Sequence, residues 1–165
     1  MYKTIKEFKE DWFSEAQNTI RIMEALTDDS LAAKVSEPGR TLGRLAWHIV
    51  VTIPEMGTSS GLKVEGPAPD APIPTSAREI VRQYKAASDS LLKVIDEWTD
   101  ESLAGEIDLY GEKWTRSKTL VVLMRHEIHH RAQMTVLMRH AGLRVPGIYG
   151  PAYEEWDQYK MPPQE

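Results

Sequence analysis

The chain has 165 residues, with 20 Lys and Arg against 25 Asp and Glu and a formal net charge of -5. This acidic balance removes the electrostatic basis for nonspecific nucleic-acid binding, and the longest apolar run, Leu120–Met124, is far too short for a membrane helix. The chain contains no cysteine, which excludes disulfides and thiolate zinc sites. We therefore expect one globular domain over residues 1–165, located in the cytoplasm, with neither nucleic acid nor a membrane as a partner.

Helical periodicity predicts four long helices. Apolar residues recur at three- and four-residue steps over Thr4–Leu26, Leu42–Gly57, Ser76–Trp98 and Ser117–Ala141. Thr41 is a candidate cap for the second helix, and Thr75 or Ser76 with Glu79 resembles a capping box that opens the third. Pro54 should kink or thin the last turn of the second helix because it removes one backbone hydrogen bond. A short helical turn is expected at Leu31–Val35.

The segments between these helices predict little regular structure. Residues 58–74 contain two glycines and four prolines and predict a long crossover loop. Residues 106–114 alternate weakly and predict a loop or a weak hairpin, and a tail rich in Pro, Gly and aromatic residues follows Gly142. Four helices with almost no strand signal favour an all-α fold, an antiparallel four-helix bundle with a long crossover loop and a short C-terminal tail.

Four of the five histidines lie between residues 126 and 140. At about 100° per residue, His126 and His130 lie on the arc of the fourth helix that must enter the core, whereas His129 and His140 fall on its outer side. Two inward histidines one turn apart can bind one metal ion, and an inward His48 on a facing helix could complete the set. The alternative is that each is a core histidine with an ordinary hydrogen-bond partner.

Residues 126–130 also form an H-E-x-x-H motif, which in metalloproteases supplies two zinc ligands and a general base, here Glu127. The extended signature of one such class needs glycine and histidine at the positions that Gln133 and Val136 occupy. Glu154 could serve as the third ligand of another class, but no strand edge is visible to hold a peptide. A metallopeptidase is therefore the less favoured interpretation.

Three separated motifs resemble those of the DinB/YfiT-like superfamily. In chain order they are RTLGRLAWH at residues 40–48, HEIHHRAQMTVLMRHAG at 126–142 and PGIYGP at 146–151. The resemblance extends from about residue 40 to residue 156, and the first predicted helix is compatible with it. It implies a four-helix bundle that binds a divalent metal ion through His48, His126 and His130, and frequent homodimers.

The resemblance also implies a function. Characterised relatives transfer low-molecular-weight thiols such as bacillithiol, mycothiol or glutathione to electrophiles in a metal-dependent reaction, and a related branch is a thiol-dependent isomerase. The expectation for this chain is a metal-dependent small-thiol S-transferase, or a related hydrolase or isomerase, acting on a small-molecule substrate. A non-catalytic, metal-stabilised helical binding module is the alternative. Zn or Ni is the expected ion, with Fe, Co and Cu as further candidates.

The catalytic groups are less defined than the ligands. Three neutral imidazoles leave the charge of the ion uncompensated and leave coordination positions open, as in catalytic sites. Glu127 and Tyr149 are the candidate catalytic residues. Glu127 is favoured as a hydrogen-bond partner of a ligand or as an interhelical ion pair, and Tyr149 either covers the pocket or packs the bundle end. Arg131 contacts an anionic substrate or a surface carboxylate, and Gln133 hydrogen-bonds to His126 or across the bundle.

Overall fold

The computed structural model describes residues 1–162, which are mostly helical. Four long helices run in chain order as α1 (Ile5–Glu24), α2 (Leu42–Ser59), α3 (Ala77–Val94) and α4 (Arg116–His140). They fall where the periodicity places them. The short turn between α1 and α2 is a 3-10 turn at Asp29–Ala32, slightly earlier than predicted, and α3 gives way to another at Ile95–Glu97 before Trp98. Further 3-10 turns lie at Glu101–Ala104 and Tyr153–Tyr159.

Threonine side chains cap three of the helices. Thr4 forms a capping box with Glu7 at the start of α1, and the hydroxyls of Thr41 and Thr115 each accept a backbone hydrogen bond 3.1 Å long at the starts of α2 and α4. These contacts satisfy amide groups that lack a partner within the helix. The predicted capping box at Ser76 is wrong, since its side chain makes no capping bond.

A residue from a distant part of the chain caps α3 instead. The carboxylate of Asp28 accepts a 2.7 Å hydrogen bond from the backbone amide of Ala77. A carboxylate at this position also interacts favourably with the positive end of the helix dipole. The start of α3 is therefore capped by the connection between α1 and α2. Because Asp28 and Ala77 are 49 residues apart, this contact cannot be predicted from the sequence around α3.

Each of the four long helices packs against two of the others. α1 contacts α3 and α4, and α2 contacts the same two helices. Their facing sides bury a continuous apolar core, in which α1 contributes Phe8 and Trp12, both fully buried. The indole of Trp12 donates a 3.0 Å hydrogen bond to the hydroxyl of Ser88 on α3, so this large side chain is buried without leaving its N–H group unpaired.

A small sheet corrects the all-α prediction. Two antiparallel strands, β1 (Glu106–Leu109) and β2 (Glu112–Thr115), form a hairpin, one of the two alternatives predicted for this segment. Its two-residue turn, Tyr110-Gly111, has positive φ at both positions, 54° and 79°. That geometry matches the right-handed twist of the strands, and the buried Leu109 anchors the hairpin on the helices. The alternation is too short for periodicity alone to establish a strand.

The crossover loop contains no helix or strand between residues 60 and 76. It is packed rather than loose, because Leu62 and Val64 are buried against the core. Pro54 lies inside α2 without ending the helix, and its ring approaches Gly66 of the loop. Among residues 1–162, no helix is both long enough and apolar enough to cross a membrane.

A substitution of Gly57 by alanine is expected to lower the free energy of unfolding by about 1–3 kcal/mol. A Cβ atom at this position would lie 2.4 Å from Cγ2 of Val64, too close without moving the crossover loop away from α2. Urea denaturation measures the loss, and Gly61→Ala is the comparison variant. No atom lies within 4 Å of a Cβ added at Gly61, so any loss of stability there comes from its positive φ alone. An unchanged midpoint for Gly57→Ala would show that the loop does not pack tightly on α2.

Candidate metal centre

Three histidines converge from two helices. His48 comes from α2, and His126 and His130 lie one turn apart on α4. One ring nitrogen from each lies within 4.8 Å of the others. The ring centroids are 4.4 to 4.8 Å apart, and Nε2 of His48 is 3.1 Å from Nε2 of His126. The three histidines that the sequence predicts as metal ligands therefore lie close together in the structure.

The spacing of one pair of these nitrogens fits a shared metal ion. Two imidazole nitrogens each about 2.1 Å from one ion, at angles between about 90° and 110°, lie roughly 3.0–3.4 Å apart. The 3.1 Å between His48 and His126 is within that range. Imidazole nitrogen is also a ligand that Zn, Ni, Fe, Co and Cu all accept, so the donor set suits a transition metal and leaves its identity open.

The surroundings keep the three imidazoles neutral. Burial lowers the pKa of His48 and of His126 from 6.5 to about 4, and it also lowers the pKa of His130. Repulsion from Arg40, and from the neighbouring rings when these are protonated, acts in the same direction, whereas the hydrogen bond to Gln133 raises the pKa of His130. A neutral ring has a nitrogen lone pair available, so the site favours the protonation state that binds metal.

Gln133 orients His130. Its side-chain oxygen lies 2.7 Å from Nδ1 of His130, and its amide nitrogen lies 3.1 Å from Nε2 of His129. Because an amide oxygen can only accept, Nδ1 of His130 carries the proton, and the lone pair of the neutral ring is at Nε2. This is the arrangement that commonly fixes a metal-binding histidine. Gln133 was expected to bond to His126 or across the bundle; its partners are instead His129 and His130, in its own helix.

Replacing Gln133 with alanine is expected to weaken metal binding about 10- to 100-fold, because His130 loses the partner that fixes its tautomer and orientation. Competition with a chromophoric chelator measures this affinity. Gln83→Ala is the matched control, since that side chain bonds to Glu79 on the surface of α3. Equal affinities for the two variants would mean that Gln133 plays no part in ordering the site.

The metal-free protein should become less stable as the pH falls from about 6.5 towards 4. His48 and His126 have a lower pKa in the folded chain than in the unfolded chain, so the unfolded chain binds more protons in this window. The associated stability is fully present above pH 6.5 and is lost as the pH falls. Urea unfolding at pH 7 and pH 5 tests this, and His126→Gln should show a smaller loss than the unaltered chain. An equal loss would contradict the assigned cause.

Glu127 lies elsewhere, although it is adjacent to His126 in sequence. Its side chain is buried, and its Oε1 accepts hydrogen bonds from Thr19 on α1, at 2.7 Å, and from Tyr84 on α3, at 2.8 Å. Its Oε2 has no partner among the described residues. Burial raises the pKa of Glu127 above its usual value, and burial next to Glu127 raises the pKa of Tyr84. The carboxylate therefore faces α1 and α3, whereas the histidine cluster is completed from α2.

Arg131 links Thr19, a hydrogen-bond partner of the buried Glu127 carboxylate, to the exposed Tyr149. Its side chain is 3% exposed and is ion-paired with Glu15, and Nη1 donates a 3.0 Å hydrogen bond to the hydroxyl of Thr19. Nη2 donates to the hydroxyl of Tyr149 at 2.7 Å, and that hydroxyl donates to Glu15. Arg131 is thus neither a surface cation nor, with its donors engaged, positioned to bind a substrate.

The other residues that the sequence analysis considered lie outside the three-histidine cluster. Tyr149 is 71% exposed, and its hydroxyl belongs to the Arg131 network rather than to the histidine cluster. His129 and His140 are exposed, as the helical wheel predicts. Sequence reasoning missed Thr19 and Tyr84 as partners of Glu127. Their only local signal was that each is a polar group on the apolar arc of its helix.

The chain belongs to the DinB family, whose model matches residues 1–164. It is 42% identical over 162 residues to the Bacillus subtilis (strain 168) protein named "Uncharacterized protein YrdA", covering 98% of this chain and 97% of that protein. Its structure is similar to that of a DinB-like protein from Bacillus cereus ATCC 10987, with a TM-score of 0.83 and 44% identity, covering 90% of this chain and 100% of the other. The DinB-like protein YjoA of Bacillus subtilis shares the fold, with a TM-score of 0.68 and 24% identity over 86% of this chain and 96% of that one.

Proposed function

We propose that this protein is a metal-dependent enzyme that transfers a small thiol to an electrophile. The observation that carries the proposal is the grouping of one ring nitrogen each from His48, His126 and His130 within 4.8 Å of one another, in surroundings that lower the pKa of all three rings. Three protein ligands without charge leave both the charge and part of the coordination sphere of a divalent ion to be completed by another molecule. Closed structural sites, by contrast, have four protein ligands.

His48, His126 and His130 would hold the ion, Gln133 would orient His130, and the ion when bound would supply Lewis-acid chemistry that lowers the pKa of a thiol. In the transfer, the thiol loses its proton to solvent. Its sulfur then forms a bond to the electrophilic carbon, whose leaving group departs with the bonding electron pair. Bound to the ion through one ring nitrogen each, His48 and His126 would have no free lone pair with which to take up the released proton.

The two other functions gain less support. A metallopeptidase needs Glu127 beside the attacking water, but this carboxylate is bound to Thr19 and Tyr84. A non-catalytic binding module uses the same three ligands, and only turnover separates it from a transferase. We assign neither Glu127 nor Tyr149 a part in the reaction.

The experiment is a conjugation assay with protein loaded in turn with Zn, Ni and Co. A panel of small thiols is mixed with 1-chloro-2,4-dinitrobenzene, and the absorbance of the thioether product is followed above the spontaneous rate. We expect catalysis that depends on metal and is lost in His126→Ala but kept in His140→Ala. Metal binding without turnover for any pair would favour the binding module. Cleavage of casein that is lost in Glu127→Gln would instead favour the peptidase.

We further infer that the four long helices form the predicted antiparallel bundle. Each contacts two others in a closed order. His48 of α2 faces α4, and Leu45, one turn before His48, lines the same groove as Leu137, which follows His130. The groove therefore runs towards the start of α2 and the end of α4, as two antiparallel helices require. The homodimer and the small-molecule partner expected from the resemblance stay predictions, as does the cytoplasmic location.

A further inference from the structure

A groove adjoins the histidine cluster on the side of Gln133. It has a volume of about 370 Å³, in the range of small-molecule sites. One wall is the segment that leads into α2, and the other is the last part of α4. The lining residues that matter here are Val35, Arg40, Leu45, Gln133, Val136 and Leu137.

The groove lies about one helical turn from the metal centre along both α2 and α4. Leu45 lies three residues before His48 on α2, and Gln133 lies three residues after His130 on α4, so each lies about one turn from a ligand on the same side of its helix. Gln133 both lines the groove and is bonded to His130. A molecule that reaches the metal position from this side would therefore lie along the groove.

The groove contains one cation on an apolar surface. Val35 and Val136 line it and are 61% and 58% exposed, large fractions for valine side chains. Arg40 is exposed and forms no ion pair with any residue in 1–162. Arg40, the charged side chain that lines the groove, is thus available to a ligand.

The charge around the cluster is positive, although the chain as a whole carries -5. Arg40 lines the groove, and Arg44 lies about one turn before His48 on α2. A divalent ion would add two further positive charges that neutral ligands do not offset. Such a site attracts anions, and a guanidinium binds carboxylate or phosphate oxygens through paired hydrogen bonds.

We propose that the thiol substrate carries an anionic group, that Arg40 binds this group, and that Val35 and Val136, one on each wall of the groove, hold the rest of the molecule. This inference rests on the proposed function, because it assumes that a thiol occupies the metal centre. It adds the charge of the substrate and assigns Arg40 as the residue that determines specificity. Arg40 is not a metal ligand, so its replacement should leave metal content unchanged.

The test uses three thiols that share a two-carbon chain and differ in charge: 3-mercaptopropionate, 2-mercaptoethanol and cysteamine. Each is titrated into Co(II)-loaded protein, and binding is followed by the sulfur-to-cobalt charge-transfer absorption, a readout that does not require turnover. We expect 3-mercaptopropionate to bind at least about fivefold more tightly than 2-mercaptoethanol, with cysteamine the weakest. In Arg40→Gln this order should collapse, while Arg78→Gln, which removes an exposed arginine on α3, should retain it. Comparing ratios between variants cancels the intrinsic differences among the thiols.

The outcomes separate the two proposals. Preference for 3-mercaptopropionate that is lost in Arg40→Gln at unchanged cobalt content supports the inference. Thiol binding without that preference, or with a preference that survives in Arg40→Gln, overturns the inference and leaves the transferase standing. Absence of thiol binding to the unaltered Co(II) protein overturns the proposed function and the inference with it.

Discussion

Replacing His126 with alanine is expected to reduce metal affinity by more than ~100-fold, since losing only the hydrogen-bond partner of a ligand already costs about 10- to 100-fold. His126 contributes a ring nitrogen 3.1 Å from that of His48, and the pair left behind cannot hold an ion with comparable strength. Elemental analysis of the purified protein and chelator competition both measure the effect. His48→Ala and His130→Ala should behave alike, because each removes one of three ligands.

The control for this prediction is His140→Ala. It removes the same side chain from the same helix, at an exposed position outside the cluster. The three ligand variants should remain folded in the metal-free state, as judged by circular dichroism, because His48 and His126 are only half-buried and His130, although buried, is a polar side chain rather than part of the apolar core. Stoichiometric metal in any one of them would show that the ligand is a different residue.

The second large effect concerns stability. Replacing Arg131 with leucine should lower the free energy of unfolding by about 3–5 kcal/mol, because it leaves the partner of a buried ion pair uncompensated. The Glu15 carboxylate that would lose its partner is only 14% exposed, and Thr19 loses a hydrogen-bond donor in the same change. Urea unfolding of the metal-free chain at pH 7 measures the loss.

Arg139→Leu is the matched control for that prediction. Arg139 lies on the same helix and is paired with Glu154, but its side chain is 44% exposed. An ion pair of this kind contributes about 1 kcal/mol or less. The two variants should therefore differ clearly, and folded Arg131→Leu should retain its metal. Similar stabilities would mean that the Arg131 network contributes no more than a surface ion pair.

The helices and the shared inward face of His126 and His130 were predictable from the sequence for the same reason. Both depend on local periodicity, which the chain carries in every turn. A separation of four residues puts His126 and His130 on one side of α4 in any packing. Capping by Thr41 and Thr115 is equally local. The capping of α3 by Asp28 is not, because the carboxylate that meets the Ala77 amide lies 49 residues away in the chain.

The hairpin is a part of the fold for which local sequence patterns are too weak to predict the structure. Four-residue strands contain too few positions for alternation to exceed chance, and their pairing depends on the turn at Tyr110-Gly111. The positive φ at Tyr110 is a cost that the flanking pairs and the buried Leu109 offset in the folded protein. Neither contribution can be read from composition.

What the sequence determined by itself was the set of helices and the pair of histidines on one turn of α4, because helical geometry relates neighbours at three and four residues. Only the tertiary structure decided which neighbours the inner arc of α4 meets. His126 and Glu127 are about 100° apart around the helix axis, and that rotation directs one to His48 of α2 and the other to Thr19 and Tyr84 of α1 and α3. The same glutamate that completes an H-E-x-x-H motif in the sequence is thereby a buried interhelical contact in the folded protein.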